Sequence, residues 1–240
     1  MMKHTAIVLS AGSGSRMKSV VAKQYLELNN IPLICHTLMA FECSRIDNII
    51  LVVGSGDVEM VKKDIVEEYG FSKVSMVVAG GATRRASVMS GIRASEGSDY
   101  VHIHDGARCL ITPELINEMI MSVEARDAVA LAVPVKDTIR KVTDNGWYDK
   151  SMDRSELHIM QTPQSFEYKL IKQAFDNMRA DVAGPDMTDD VMVLEKYGDT
   201  RSFFIPGSYE NIKVTTPEDL LLAEAILNKR EKAKEKKVSK

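Results

Sequence analysis

The 240-residue chain is 45% apolar with a formal charge of −3, enough for one large α/β core and too little charge to draw it globally onto nucleic acid or an anionic membrane. Three cysteines, Cys35, Cys43 and Cys109, lack the spacing of a disulfide framework or a zinc site, and no apolar run approaches the ~20 residues of a membrane helix. With no room for a signal peptide before the first strand, these features predict a cytoplasmic protein with no nucleic-acid and no membrane partner.

The first apolar run, Ala6–Leu9, fits a strand buried on both faces and empties into Ala11-Gly12-Ser13-Gly14-Ser15-Arg16. Glycines let backbone N–H groups approach an anion, and Arg16 and Lys23 follow as fixed cations, so the stretch reads as a phosphate-binding entry. It is not a Walker loop, which needs Gly-Lys-Ser/Thr where Gly14 is followed by Ser15-Arg16. Nor is it a dinucleotide fingerprint, whose third small residue is replaced by Met17. Residues 32–43 have helical spacing, 48–53 form an apolar strand, 57–69 an amphipathic helix and 73–78 a further strand that runs into Gly80-Gly81. Arg84 and Arg85 can both be solvated charges at a helix start, a reading that fits Arg85 better.

Residues 99–105 read as a strand that places Asp105 at its carboxyl end, on the rim where α/β sheets bind ligands. A carboxylate there suits Mg²⁺, which takes one or two carboxylates plus phosphate oxygens. His102 and His104 share a strand face without a third ligand in register, which predicts packed or hydrogen-bonded histidines. Cys109 has no positioned base that would make it a nucleophile.

Thr112-Pro113-Glu114 opens a capped helix, and 128–133 is a strand. The alternation then breaks: residues 138–143 and 147–150 flank Asp144-Asn145-Gly146, a hairpin signal, and a lone two-stranded ribbon needs something to lie against. Beyond it come a helix over 167–179, a cap at Thr188-Asp189-Asp190, a strand over 201–205, and a strand from Asn211 that ends in a capped helix. The lysine-rich end, 229–240, reads as a solvated helical extension. Together these predict an α/β, Rossmann-like fold: a mostly parallel twisted sheet with helices on both faces, plus a protruding β-hairpin arm.

Leu9-Ser-Ala-Gly-Ser-Gly-Ser-Arg-Met17 with Lys23-Gln-Tyr-Leu26 resembles the signature of the 2-C-methyl-D-erythritol 4-phosphate cytidylyltransferases. The segments Gly80-Gly-Ala-Thr-Arg-Arg-Ala-Ser-Val88, Asp105-Gly-Ala-Arg108, Asp137-Thr138, Asp153-Arg-Ser155 and Gln161-Thr-Pro-Gln164 extend the resemblance over nearly the whole chain. It implies a single nucleotidyltransferase domain over 1–228, with a dimerisation arm at about 136–163, and a basic tail over 229–240. It implies Arg16 and Lys23 as catalytic cations at the α-phosphate of CTP, and Ala11, Gly12, Gly14, Gly81 and Ser87 as nucleotide-binding. It further implies Asp105, Arg108, Thr138, Arg154, Thr188 and Lys213 as acceptor-binding, with Asp105 also the ligand of Mg²⁺. The implied partners are CTP, a polyol phosphate and a second copy of the chain, whose arm helps build the active site.

Three positions depart from the family's pattern. Ala82 stands where some members carry an acid, and Gly106 and Cys109 replace Ala and Pro, which predicts a looser turn. A ribitol-5-phosphate cytidylyltransferase shares the fold, but Lys23-Gln-Tyr-Leu, Arg84-x-x-Ser87-Val and the segment 212–219 look closer to the methylerythritol enzymes. A catalytically silent nucleotide-binding regulator is the reading from another class, and the joint presence of Arg16, Lys23, Asp105 and Lys213 speaks against it. Charge logic points the same way: joining two anionic phosphates calls for fixed cations and metal more than for a base.

Overall fold

The computed structural model describes residues 2–12, 22–180 and 187–238. Strand β1 (His4–Ser10) is followed by a tight hairpin of β2 (Glu27–Leu28) and β3 (Ile31–Pro32), whose two linking residues, Asn29 and Asn30, hold φ of 52° and 61°. Asparagine tolerates that left-handed geometry, which the two-residue turn requires. The chain continues through α1 (Leu33–Glu42), β4 (Asn48–Val53), α2 (Val58–Val61) and β5 (Val74–Ala79). Then come α3 (Arg84–Ala94), β6 (Tyr100–Asp105), α4 (Pro113–Arg126) and β7 (Ala128–Pro134). The predicted helix over 57–69 is shorter in its α form, because α2 widens into a π turn over Lys62–Glu67.

After β7 the chain makes its excursion, β8 (Arg140–Val142) pairing antiparallel with β9 (Tyr148–Ser151). It returns as β10 (His158–Glu167) and finishes with α5 (Tyr168–Ala180), α6 (Asp190–Tyr197), β11 (Phe203–Pro206) and α7 (Pro217–Val238).

The main sheet has seven strands in the order β11-β7-β10-β6-β1-β4-β5, parallel throughout except for β10, which runs against both neighbours. The mostly parallel sheet expected from the alternation is therefore present, with helices on both faces. Side chains alternate across β1: Ala6 and Val8 join Ile49, Leu51 and residues of α1 and α4 on one face, while Ile7 joins Ile50, Val52 and residues of α3, α5 and α6 on the other. A third cluster, with Leu28, Leu33, Leu110, Val214 and Ala223, fastens α7 below the β2–β3 hairpin.

Gln161-Thr-Pro-Gln164, to which the sequence assigned no element, lies inside β10, at a register irregularity between Met160 and Gln164. The strand expected from Asn211 needs correction. Residues 211–216 join no ladder and form an extended strap across the rim of the sheet. The cap expected within 188–190 is present: Asp189 accepts from the Met192 N–H at 3.0 Å, and the neighbouring Thr188 hydroxyl lies 3.0 Å from the Met192 sulfur.

Candidate active site

The carboxyl ends of β6, β1, β4 and β5 are neighbours in the sheet, and their following loops enclose a cavity of about 770 Å³. Ala11, Gly12, Lys23, Gly81, Ser87, Asp105 and Lys213 line it. Where the β5–α3 segment meets the end of β1 the fit is tight. A Cβ on Gly80 would lie 2.6 Å from the Ala11 Cβ and 2.7 Å from the Ser87 Oγ, and one on Gly81 would collide with the Ala86 Cβ. A bare backbone at Gly80 therefore lets the β5–α3 loop press against the β1 loop, and one at Gly81 lets it close onto the first turn of α3. Ser87 fixes that loop, its hydroxyl accepting from the Gly81 N–H and donating to the Thr83 carbonyl, both at 3.1 Å.

Asp105 also lines the cavity, its side chain only 12% exposed. The Lys213 Nζ lies 2.8 Å away, the Arg84 Nε 3.5 Å and the Arg108 Nε 3.9 Å. Burial pushes its carboxyl up, but Arg84, Lys213 and Arg108 outweigh that and hold it well below the usual carboxylate range. The turn after it is firmly tied, contrary to the looser turn expected from Gly106. The Gly106 N–H donates to the Leu9 carbonyl at 2.8 Å, its carbonyl accepts from the Thr37 hydroxyl at 2.8 Å, and a Cβ there would meet that same Leu9 carbonyl at 2.9 Å. Glycine is what lets the turn close onto β1.

A buried hydrogen-bond relay supports Asp105 from below. Its N–H donates to the Thr162 hydroxyl at 3.0 Å, and that hydroxyl donates to the His104 Nδ1, also at 3.0 Å. The Nε2–H of His104 then faces the Arg108 carbonyl at 3.3 Å, and burial lowers the imidazole pKa to about 4, so the ring is neutral. His102 is likewise internal, 2.7 Å from the Ser165 hydroxyl and 3.1 Å from the His4 ring, as expected for packed histidines. Among the described residues no three His, Cys, Asp or Glu side chains group as a metal cage.

The predicted residues divide by place. Lys23 lines the cavity from a short 3₁₀ turn, its Nζ donating to the Val214 carbonyl at 3.0 Å. Arg108 lies beside Asp105 but gives its guanidinium to the carbonyls of Asn211 and Met160, at 2.9 and 3.2 Å. Thr138 and Arg154 flank the exposed ribbon and do not line the cavity, and Arg154 donates to the Lys136 carbonyl at 2.8 Å. Thr188 is exposed before α6. Gly14 and Arg16 lie outside the described residues.

Sequence reasoning left Arg84 open between solvent and site. Here it grips both oxygens of the buried Asp190 at 2.9 and 2.7 Å and leans on Asp105, and these two carboxylates raise its pKa against the opposing effect of burial. The available signal was its position: a cation in the first turn of a helix opposes the helix dipole and calls for an anionic partner. Gln164 was missed as well. Its amide oxygen accepts from the N–H groups of Asp190 and Val191, both at 3.0 Å, and its NH₂ donates to Asp189 at 2.9 Å, pinning α6 to the sheet.

Comparison with known proteins points to one family. The family described as IspD, 2-C-methyl-D-erythritol 4-phosphate cytidylyltransferase, matches residues 4–229. The protein of that name from Lachnoclostridium phytofermentans is 46% identical over 227 residues, covering 95% of this chain and 97% of the relative. The one from Alkaliphilus oremlandii is 46% identical over 230 residues, covering 95% and 96%. Among solved structures, the 4-diphosphocytidyl-2C-methyl-D-erythritol synthase of Anaerococcus prevotii superposes with a TM-score of 0.82 at 32% identity, covering 95% of this chain and 96% of that one. The Thermus thermophilus cytidylyltransferase gives a TM-score of 0.75 at 25% identity, covering 92% and 98%.

Proposed function

The chain belongs to the 2-C-methyl-D-erythritol 4-phosphate cytidylyltransferase family, and from that premise we propose how its own residues perform the reaction. It is a nucleotidyltransferase that joins CTP to 2-C-methyl-D-erythritol 4-phosphate in isoprenoid precursor synthesis. An oxygen of the acceptor's phosphate monoester forms a bond to the α-phosphorus of CTP as the bond from that phosphorus to the pyrophosphate oxygen breaks. Pyrophosphate leaves, and a CDP-linked methylerythritol remains. The monoester is largely ionised near neutral pH, so the attacking oxygen needs no base. What the site must supply is positive charge where two anions meet.

The observation that carries this reading is the spacing of charge across one cavity: Lys23 lines it together with Asp105 and Lys213, and the nucleotide-side loop closes the same space. In our assignment Gly81, Ala11 and Gly12 hold the nucleotide by backbone approach, and Ser87 shapes the loop that does so. Lys23, with Arg16, stabilises the charge that grows on the α-phosphate. Lys213 and Arg108 serve the acceptor phosphate, directly and through the strap respectively.

Mg²⁺ fits the residues present. Asp105 stays ionised and opens onto the cavity, and a cation that prefers one or two carboxylates plus phosphate oxygens needs no further protein cage. When bound, it would neutralise charge between the phosphates.

We assign the ribbon to a homodimer. Trp147 and Tyr148 are 74% and 73% exposed, Ile139 and Val142 are exposed beside them, and Thr138 and Arg154 stand at its two bases outside the cavity of their own chain. A partner's arm would bring those two side chains to the acceptor. We place the reaction in the cytoplasm, which suits three free thiols; among the described residues no helix is long and apolar enough to cross a membrane.

Pyrophosphate release is the test. With CTP and Mg²⁺, methylerythritol phosphate should support turnover, ribitol 5-phosphate and ATP should do so poorly, and a chelator should abolish it. Equal rates with the two polyol phosphates, or full activity in chelator, would overturn the assignment.

A further inference from the structure

We infer that Arg230, on α7 one residue beyond the span matched by the family, is a positioning residue for the acceptor end of the site. Its guanidinium joins two segments that are distant in sequence. Nη1 donates to the Leu110 carbonyl at 2.9 Å, while Nε and Nη2 each lie 3.0 Å from the Glu210 Oε2. The Lys229 Nζ takes the other Glu210 oxygen at 3.0 Å, so the middle of α7 holds both oxygens of this carboxylate.

Both anchored segments lead into the site. Glu210 immediately precedes the strap, whose first residue, Asn211, is fully buried, its amide donating to the Thr162 carbonyl at 3.0 Å and its own carbonyl accepting from Arg108 at 2.9 Å. Lys213 then meets Asp105 at 2.8 Å, and Val214 closes the strap, its N–H on the Ala107 carbonyl at 2.8 Å and its carbonyl on the Lys23 Nζ at 3.0 Å. Leu110 ends the turn that carries Asp105 and Arg108. Arg230 thus ties the start of the strap to the end of that turn, the two pieces between which the Lys213–Asp105 pair is formed.

An exposed ion pair alone contributes little. Arg230 is only 25% exposed, however, and one of its charge-assisted bonds goes to the carbonyl of a buried residue, Leu110. Displacement of a positioned group by about 1 Å is enough to cost on the order of 10²-fold in rate. A strap held at one end fewer should lose part of that.

The inference rests on the acceptor role assigned to Lys213, and two measurements separate the two claims. In steady-state assays at saturating CTP, R230M should raise the KM for methylerythritol phosphate about tenfold, with the KM for CTP within about twofold of wild type. R230K should fall between R230M and wild type, and E210Q, which weakens the same tie from the strap side together with the Lys229 pair, should raise the same acceptor constant. In hydrogen exchange followed by mass spectrometry, which needs no substrate, the 207–216 peptide of R230M should exchange about tenfold faster while β1 and β4 peptides are unchanged. Unaltered protection of that peptide overturns the inference even if the wild-type enzyme rejects this acceptor. An acceptor KM within about twofold of wild type, or CTP and acceptor constants worsening together, overturns it when the wild type is active.

Discussion

Replacing Arg84 with Met strands a buried carboxylate. Asp190 is 1% exposed and receives two guanidinium bonds, at 2.9 and 2.7 Å, so the variant leaves its carboxyl with neither water nor counter-ion and able to stay only by taking up a proton. Breaking a buried pair from one side costs about 3–5 kcal/mol. Arg84 is itself 31% exposed, and water screens part of the loss, so the lower value of about 3 kcal/mol is expected. In a chain of this length each kcal/mol moves the unfolding midpoint by about 2–4 °C, which places R84M about 6–12 °C below wild type in thermal unfolding followed by circular dichroism at pH 7.

The pH dependence supplies a second readout of the same variant. Burial pushes the Asp190 carboxyl up, and without Arg84 nothing of comparable reach opposes it. The native variant then holds a proton that the unfolded chain releases near its ordinary pKa of about 3.9, so its stability falls as pH rises through and above that value. The deficit should be greatest at pH 7 and narrow as pH drops toward about 4. R84M/D190N, which removes the stranded charge, should recover most of the midpoint. If R84M melts within about 1 °C of wild type at pH 7, or if its deficit grows toward acid, the reasoning is wrong.

K23A should slow the chemical step on the order of 10²–10³-fold in single-turnover measurements while leaving CTP binding nearly intact, since its charge matters most as the α-phosphate becomes more negative. Gly80→Ala places a Cβ 2.6 Å from Ala11 and 2.7 Å from Ser87, and should raise the KM for CTP about tenfold with little change in the acceptor KM. Excising residues 144–146 and closing the ribbon with a shorter turn should give a monomer by light scattering that binds CTP but uses the acceptor poorly. A fully active monomer would remove the arm from the site.

What the sequence made legible follows from where apolar residues are continuous. Strands β1, β4 and β6 were found within a residue or two because each is an apolar run ending at a breaker or a charged turn. Strand β10 was hidden because its middle, Gln161-Thr-Pro-Gln164, is polar and holds a proline. Those side chains are buried yet satisfied, Gln161 by the Ser208 carbonyl, Thr162 by Asp105 and His104, Gln164 by the start of α6. A buried polar group with built-in partners leaves no hydrophobic period to read. The segment 211–216 misled in the opposite way, since its β-branched residues face a turn and a helix rather than a neighbouring strand. The cations Lys23 and Lys213 could be named from the motifs, whereas the Arg84–Asp190 grip needed the third dimension, because its partners are far apart in sequence.

The antiparallel strand β10 also sets the order in which the molecule can be completed. Strands β5, β4, β1 and β6 find one another within the first part of the chain, and β7 follows soon after, yet β6 and β7 are joined only through β10, whose residues are made after the ribbon has emerged. Until then a nascent chain leaves open the edges of β6 and β7 that face the gap, on strands bearing Val101 and Ile103 and Val129 and Leu131, all fully buried in the finished protein. Open apolar edges invite pairing with the wrong chain. The strand that must fill the gap has little intrinsic β-propensity across residues 161–164, and its place is marked by side-chain partners, Ser165 for His102 and Thr162 for His104. Damage at those positions should accordingly appear first as a lower yield of folded chain during synthesis, before any loss is seen in the chains that do fold.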